Sequence, residues 1–311
     1  FTMSLLTRKR TILAKLETTY GTDPTPSGSA NAILVRNLSI TPLNAENVSR
    51  DLVRPYLGAS EQLIASAYVG VEFEVEMAGS GTAGTAPAYG PLLQACGMTE
   101  TDGVSDVTYT PKSASFASVT MYYNVDGVLH KVTGARGNVE LVINARQIPV
   151  FKFTFTGLYN APSDASAPSV TYTAFQTPVA ANSDNTTGFS LFSYAAALES
   201  LNVNFNNAIQ YRSLIGAEDV LMTDRQVNGQ VVFEAPTIAA KDFFSLALGN
   251  TLGGLDITHG TAAGNMVQIV SSRVDVSNPS YQDQNGIQML QVPITFVPST
   301  SGNDEISIVV K

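Results

Sequence analysis

Residues able to carry covalent or acid–base chemistry are scarce in this sequence. Catalysis by a nucleophile or general base needs such a group within hydrogen-bond reach of a partner, yet the 311 residues hold only two histidines, His130 and His259, and one cysteine, Cys96. Neither histidine has partners at metal-ligand spacing. His130 falls beside a hairpin turn and His259 in a glycine-rich loop, Gly253–Gly264, so both read as isolated surface histidines. Cys96 reads as a small core residue. The run GSGTAG at Gly79–Gly84 lacks the Lys-Ser/Thr that completes a phosphate loop and reads as a flexible insert. No catalytic residue, cofactor or metal ligand is expected, and the chain is not expected to be an enzyme.

One charge pattern stands out. Glu72, Glu74 and Glu76 alternate with Val71, Phe73 and Val75, which in a strand puts three carboxylates in a row on one face and three apolar side chains on the other. An ordinary solvated sheet face looks like this. So would an acidic wall lining a channel.

The element bearing these residues is written twice. Val69–Gly97 runs strand, Pro87, short helix, Gly97, and Val227–Gly249 runs strand, Pro236, short helix over Ala239–Leu248, Gly249. In the later copy the outward positions are Gln230, Val232 and Glu234, so an acidic lining would be uneven. The echo extends upstream, with Leu38-Ser39-Ile40 matching Leu201-Asn202-Val203 and Arg54–Ala59 matching Arg212–Ala217. Downstream, Gln147–Phe155 matches Leu290–Phe296. A repeat of this length is a domain used twice.

The expected fold is therefore all-β with short helices: two tandem β-sandwich domains, each flanked by one helix. The expected boundaries are an N-terminal arm over 1–31, a first domain over 32–160, a Pro-rich linker over 161–197 and a second domain over 198–311. Within the arm, Leu5–Tyr20 is mildly basic with Ile12, Leu13 and Leu16 at helix-like spacing. Gly21–Asn31 contains Pro24, Pro26 and Gly28 and reads as an extended loop carrying the arm away from the first core. Long connections at Pro42–Ala67 and Asn206–Arg225 read as protruding hairpins or loops used for contacts. Strands are expected at Val107–Tyr109, Ser118–Val125, Val128–Val132, Val139–Asn144, Val150–Thr156, Val267–Val270, Arg273–Val276, Gly286–Phe296 and Ile306–Val310.

Composition narrows the function classes. Hydrophobic residues make up 44%, enough for packed cores, whereas charged residues are only 14%. The net charge of −9 argues against a surface that grips nucleic acid by neutralising phosphates. No secretory signal and no apolar run of membrane-spanning length is read, so no membrane partner is expected.

The opening Lys9–Pro26, KRTILAKLETTYGTDPTP, and within it Ala14-Lys15-Leu16-Glu17 and Tyr20–Pro24, resembles the N-terminus of the major tail (tail tube) proteins of long-tailed, non-contractile bacteriophages. The resemblance implies a tail-tube-type β-sandwich that assembles into stacked six-fold rings, with the inner sheets of neighbouring subunits joined into one barrel. With two copies per chain, a homotrimer would make a pseudo-six-fold ring. It also implies a virion tail component made in the host bacterial cytoplasm, with a tape-measure protein in the lumen, tail terminator and distal tail proteins at the ends, and DNA as non-specific transit cargo. The candidate acidic lumen stripe is then Glu72, Glu74, Glu76 and Glu234. Candidate inter-ring contacts are Arg8, Lys9, Arg10, Lys15, Glu17, Tyr20, Arg54, Tyr56 and Arg212. The alternatives are a tandem carbohydrate-binding or adhesin-type virion protein, which the absence of Trp disfavours, and a glycosidase, for which no carboxylate pair is evident.

Overall fold

Period-two alternation along most of the chain becomes sheet. In the computed structural model, which describes residues 4–311, the first half holds β1 (Arg10–Leu16), β2 (Ala32–Ile33), β3 (Arg36–Ser49), β4 (Gln62–Glu76), helix α1 (Gly90–Ala95), β5 (Met98–Asp102), β6 (Val107–Pro111), β7 (Val119–Val125), β8 (Val128–Asn144), β9 (Val150–Tyr159) and β10 (Ser163–Asp164). The second half holds β11 (Thr186–Leu191), β12 (Tyr194–Ala195), β13 (Leu198–Asn204), β14 (Ile209–Leu214), β15 (Ala217–Met222), β16 (Asn228–Glu234), helix α2 (Phe243–Leu248), β17 (Gly253–His259), β18 (Val267–Val276), β19 (Ser280–Gln284), β20 (Ile287–Phe296) and β21 (Ser307–Val310).

The inner layer is one antiparallel run. Its first half is ordered β3–β4–β9–β8, and its second half repeats the order as β13–β16–β20, with the end of β18 and then β19 on the far side of β20. The halves join edge to edge, β8 to β13, with Leu141 opposite Val203 and Asn202 opposite Val142. The outer layer pairs β2 with β1, β1 with β7, and β7 with the first part of β8. It also contains β5–β6–β21–β18–β17–β11. β8 and β18 each pass from one layer to the other: β8 pairs β7 between Val128 and Ala135 and β9 between Val132 and Val142, with an irregularity at Thr133–Arg136, and β18 pairs β21 at one end and β20 at the other.

The core lies between the layers. Val71, Phe73 and Val75 of β4, Phe151, Phe153 and Phe155 of β9, and Val231 and Phe233 of β16 are all at most 2% exposed. Burying each of these side chains is worth about 1.5–3 kcal/mol. α1 closes this core, with Leu92, Leu93, Ala95 and Cys96 fully buried, and Gly97 turns the chain out of it at φ +82°, where a side chain would be strained. In α2 the side chain of Asp242 caps the helix by accepting from the Ser245 amide at 3.0 Å.

Several expectations are corrected. The segment with helix-like spacing is strand β1: Ile12, Leu13 and Ala14 are buried in succession because β1 lies between β2 and β7, with packing on both faces. Residues 10–16 therefore belong to the sheet and do not reach away from it; residues 1–3 of the expected arm lie outside the described residues. Val128–Val132 and Val139–Asn144 are parts of one strand, as are Val267–Val270 and Arg273–Val276. Gly253–His259 is strand β17, and His259 is 2% exposed, not on the surface. The GSGTAG run is pinned to the second half: Gly79 N donates to Asn265 Oδ1 at 2.7 Å and Gly81 N to the Gly264 carbonyl at 2.9 Å. Gly79 is a close approach, since a Cβ there would sit 2.1 Å from the Gly264 oxygen. Within 161–197, β11 pairs β17 and its Leu191 is buried in the core. The two long connections are hairpins, β3–β4 and β14–β15.

Candidate assembly surfaces

Glu72, Glu74 and Glu76 lie on the solvent face of β4, opposite buried Val71, Phe73 and Val75. Strands on either side extend this polar face. A groove is lined by Asn37, Glu72, Glu74, Asn138, Glu140, Lys152, Thr154 and Asn204, and a second by Lys152, Asn144, Asn202, Gln230, Val232, Gln282 and Gln291. Lys152 borders both, so the face continues without a break across the β8–β13 join.

Three carboxylates on this face, Glu74, Glu76 and Glu140, have side-chain partners. Asn37 Nδ2 donates to Glu74 Oε2 at 2.9 Å, and the Arg36 guanidinium lies 3.9 Å from Glu74 and 3.7 Å from Glu76. Lys152 sits directly across from Glu74 on one side and Glu140 on the other. Asn202 donates to Glu140, and Asn138 donates to Asn204 Oδ1 at 2.7 Å. Glu234 ends the second-half strand on the same face, exposed, where Gln230 and Val232 replace carboxylates. Acidic groups still outnumber cations, and amide side chains fill the rest.

The N-terminal candidates divide into two groups. Glu17 is used inside the chain: its carboxylate accepts from Ser118 Oγ and Thr120 Oγ1, both at 2.6 Å, from the Gly134 amide at 2.7 Å and from the Gly21 amide at 2.8 Å. Tyr20 is used likewise. Its hydroxyl accepts from the Val220 amide at 2.6 Å, its ring lies 4.8 Å under the Arg136 guanidinium, and burial raises its pKa above the ordinary phenol value. Arg10 Nη1 donates to the Leu38 carbonyl at 2.6 Å and Lys15 Nζ to the Pro24 carbonyl at 2.9 Å. Arg8 is exposed, and Lys9 makes a surface ion pair with Asp126 at 3.4 Å. Far from these, Tyr56 is 65% exposed at the tip of the β3–β4 hairpin with Arg54 6.0 Å from its ring, and Arg212 pairs with Asp219 at 3.2 Å on β14–β15.

The residues that tie the halves together were not singled out in the sequence. Asn207 Nδ2 donates to the Cys96 carbonyl at 2.7 Å and the Gly137 carbonyl at 3.0 Å. Arg225 forms a buried ion pair with Glu305 at 2.8 Å and donates to the Lys112 carbonyl at 2.7 Å. Arg136 Nη1 reaches the Val220 carbonyl at 2.7 Å. Each is a polar group whose partner is fixed only by the fold, so spacing along the chain carries no signal of it.

Among the described residues no group of His, Cys, Asp and Glu is placed to hold a metal ion, and no helix is long and apolar enough to cross a membrane. Burial pushes the Cys96 thiol well above its usual pKa, away from the reactive thiolate. The described residues thus form an all-β fold with a broad polar face and two long hairpins. Residues 7–301 match the family described as phage tail tube protein, and the chain belongs to that family of structural virion tail components. No curated protein matches the sequence.

Proposed function

We propose that the chain is the repeating subunit of a phage tail tube, self-assembling into stacked hollow rings through which DNA leaves the particle. The observation that carries this reading is the in-chain join: two four-stranded runs of the same pairing order meet edge to edge, β8 to β13, with one polar face continuous across the join. On this reading the chain is a tandem duplication, with each run one sixth of a ring, and a homotrimer closes the circle by cyclic symmetry.

The polar face is then the lumen. Its excess of carboxylates and amides offers transiting DNA few phosphate partners, which keeps DNA from binding to the wall. Glu72, Glu74, Glu76 and Glu234 are its acidic stripe, and a tape-measure protein fills it before ejection. Arg8 and Lys9, with the exposed hairpin residues Arg54, Tyr56 and Arg212, are the candidate contacts to the rings above and below and to terminator and distal tail proteins. Arg10, Lys15, Glu17 and Tyr20, which hold the fold, support those contacts from within.

Electron microscopy with mass determination of the concentrated protein tests the reading. Rings or tubes of three chains are expected. Six chains per ring would retain the tube and remove the duplication-based stoichiometry, and discrete particles with no ring at any concentration would overturn both.

A further inference from the structure

The first-half helix and its second-half counterpart end in different environments. Cys96 at the end of α1 is 0% exposed, whereas Leu248, which holds the same place before Gly249, is 86% exposed. The other half of the chain packs over the end of α1. The base of the β14–β15 hairpin lies over it, Asn207 donating to the Cys96 and Gly137 carbonyls and Met222 resting so close to Gly97 that a Cβ there would be 2.8 Å from the sulfur.

The pairing registers anchor the base of each hairpin, and position along the chain gives the corresponding residues beyond it. Ile40 is opposite Val71 as Val203 is opposite Gly229, and counting along the chain from these pairs places Asn44 where the second hairpin has Asn207, although β3 and β4 shift register between Thr41 and Asn44. Counting back from β4 and β16, Ile64 stands where the second hairpin has Met222. Met222 is 8% exposed; Ile64 is 60% exposed. The first hairpin thus carries the same Asn and an apolar side chain with nothing to cover, and α2 carries an apolar end with nothing covering it.

The strand edges match in the same way. β3 pairs only β4 and β19 pairs only β20 among the described residues, which leaves unpaired backbone at both ends of the inner run. Unsatisfied edges of this kind accept another strand.

We infer that the β3–β4 hairpin of one chain clasps α2 of a second copy, with Asn44 and Ile64 seated on the Leu248 end and β3 added to β19 in the register of the internal join. Asn204, Val203 and Asn202 lie opposite Glu140, Leu141 and Val142. The transferred register sets Thr41, Ile40 and Ser39 opposite Ser280, Tyr281 and Gln282 of the neighbour. The contact is head to tail, so it propagates around a ring. This assignment rests on the proposed ring-forming function and specifies which residues make the ring's joints.

Two variants test it. Leu248→Asp alters an exposed side chain, so its denaturation curve should overlay that of the unaltered protein while ring and tube formation falls at least tenfold. In the double variant Ile64→Cys with Leu248→Cys, oxidation of assembled protein should give disulfide-linked oligomers of whole chains, and Val104→Cys with Leu248→Cys should give none. If the unaltered protein forms rings and Leu248→Asp forms them equally, or if the Ile64/Leu248 pair fails to cross-link in them, this joint is wrong and the tube reading stands. If the unaltered protein forms no rings, the tube reading fails and this inference fails with it.

Discussion

The two faces of the inner sheet share every backbone hydrogen bond and almost nothing else. One carries Val71, Phe73, Phe151, Phe153, Phe155 and Phe233, with ring centroids 5.6–6.3 Å apart around Phe153, packed against the outer layer. The other carries carboxylates and amides that partner one another at the surface. The alternation of β4 places stability and surface chemistry on adjacent residues, so a substitution one position along the strand changes which of the two is affected.

The largest effect is expected on the apolar face. Phe153→Ala should lower stability by about 3–5 kcal/mol through lost burial and the cavity left among the neighbouring rings, while its neighbour Thr154→Ala should stay within about 0.5 kcal/mol. Urea denaturation of both variants would break the comparison if the two costs were similar. Next comes the buried ion pair of the second half, whose arginine also reaches the first half at the Lys112 carbonyl. Arg225→Met leaves Glu305 buried without its partner and should cost about 3–5 kcal/mol, whereas adding Glu305→Gln should recover much of it. Equal losses in the single and double variants would remove the pair from the account.

A smaller effect is expected from His259, a titratable group on the core side. Burial lowers its pKa below 6.5, and only Nδ1 has a side-chain partner, Thr186 Oγ1 at 2.9 Å. The unfolded chain then binds the proton first. Stability is therefore full above about pH 6.5 and declines as pH falls through the lower folded value. His259→Gln should flatten that decline, read from melting temperatures across pH 7 to 5 relative to the unaltered protein. The smallest effect on stability is expected on the polar face: Glu72, Glu74 and Glu76 changed together to Gln should each cost within about 0.5 kcal/mol. The same positions changed to Lys should slow DNA release from assembled particles, and unaltered release would separate this face from transit.

Much of this was legible in the sequence where burial is one-sided. The row of Glu72, Glu74 and Glu76, the two hairpins and the strand-then-helix units all follow from alternation that one apolar face imposes. The legible signal stops where that condition fails. β1 is packed on both faces, so Ile12, Leu13 and Ala14 lose the period of two. β8 is irregular between Thr133 and Arg136 and so reads as two strands. His259 is buried by residues such as Thr186 that are distant along the chain, and no local pattern reports it. Glu17 and Tyr20 are in the motif that resembles the family's N-terminus, yet the structure shows them bonding Ser118, Thr120 and Val220, partners that proximity in sequence could not supply.

Strand β21 has a consequence for how the molecule comes apart. Its four residues pair with β18 of the second half, and three of them pair on the other side with β6 of the first, with Ile308 opposite both Tyr109 and Ile269. Neither half can lose its outer layer without stripping that strand from the other. Heat or denaturant should therefore melt the chain in one cooperative transition rather than two, and refolding should be slow, because contacts this remote in sequence must close before either half is complete.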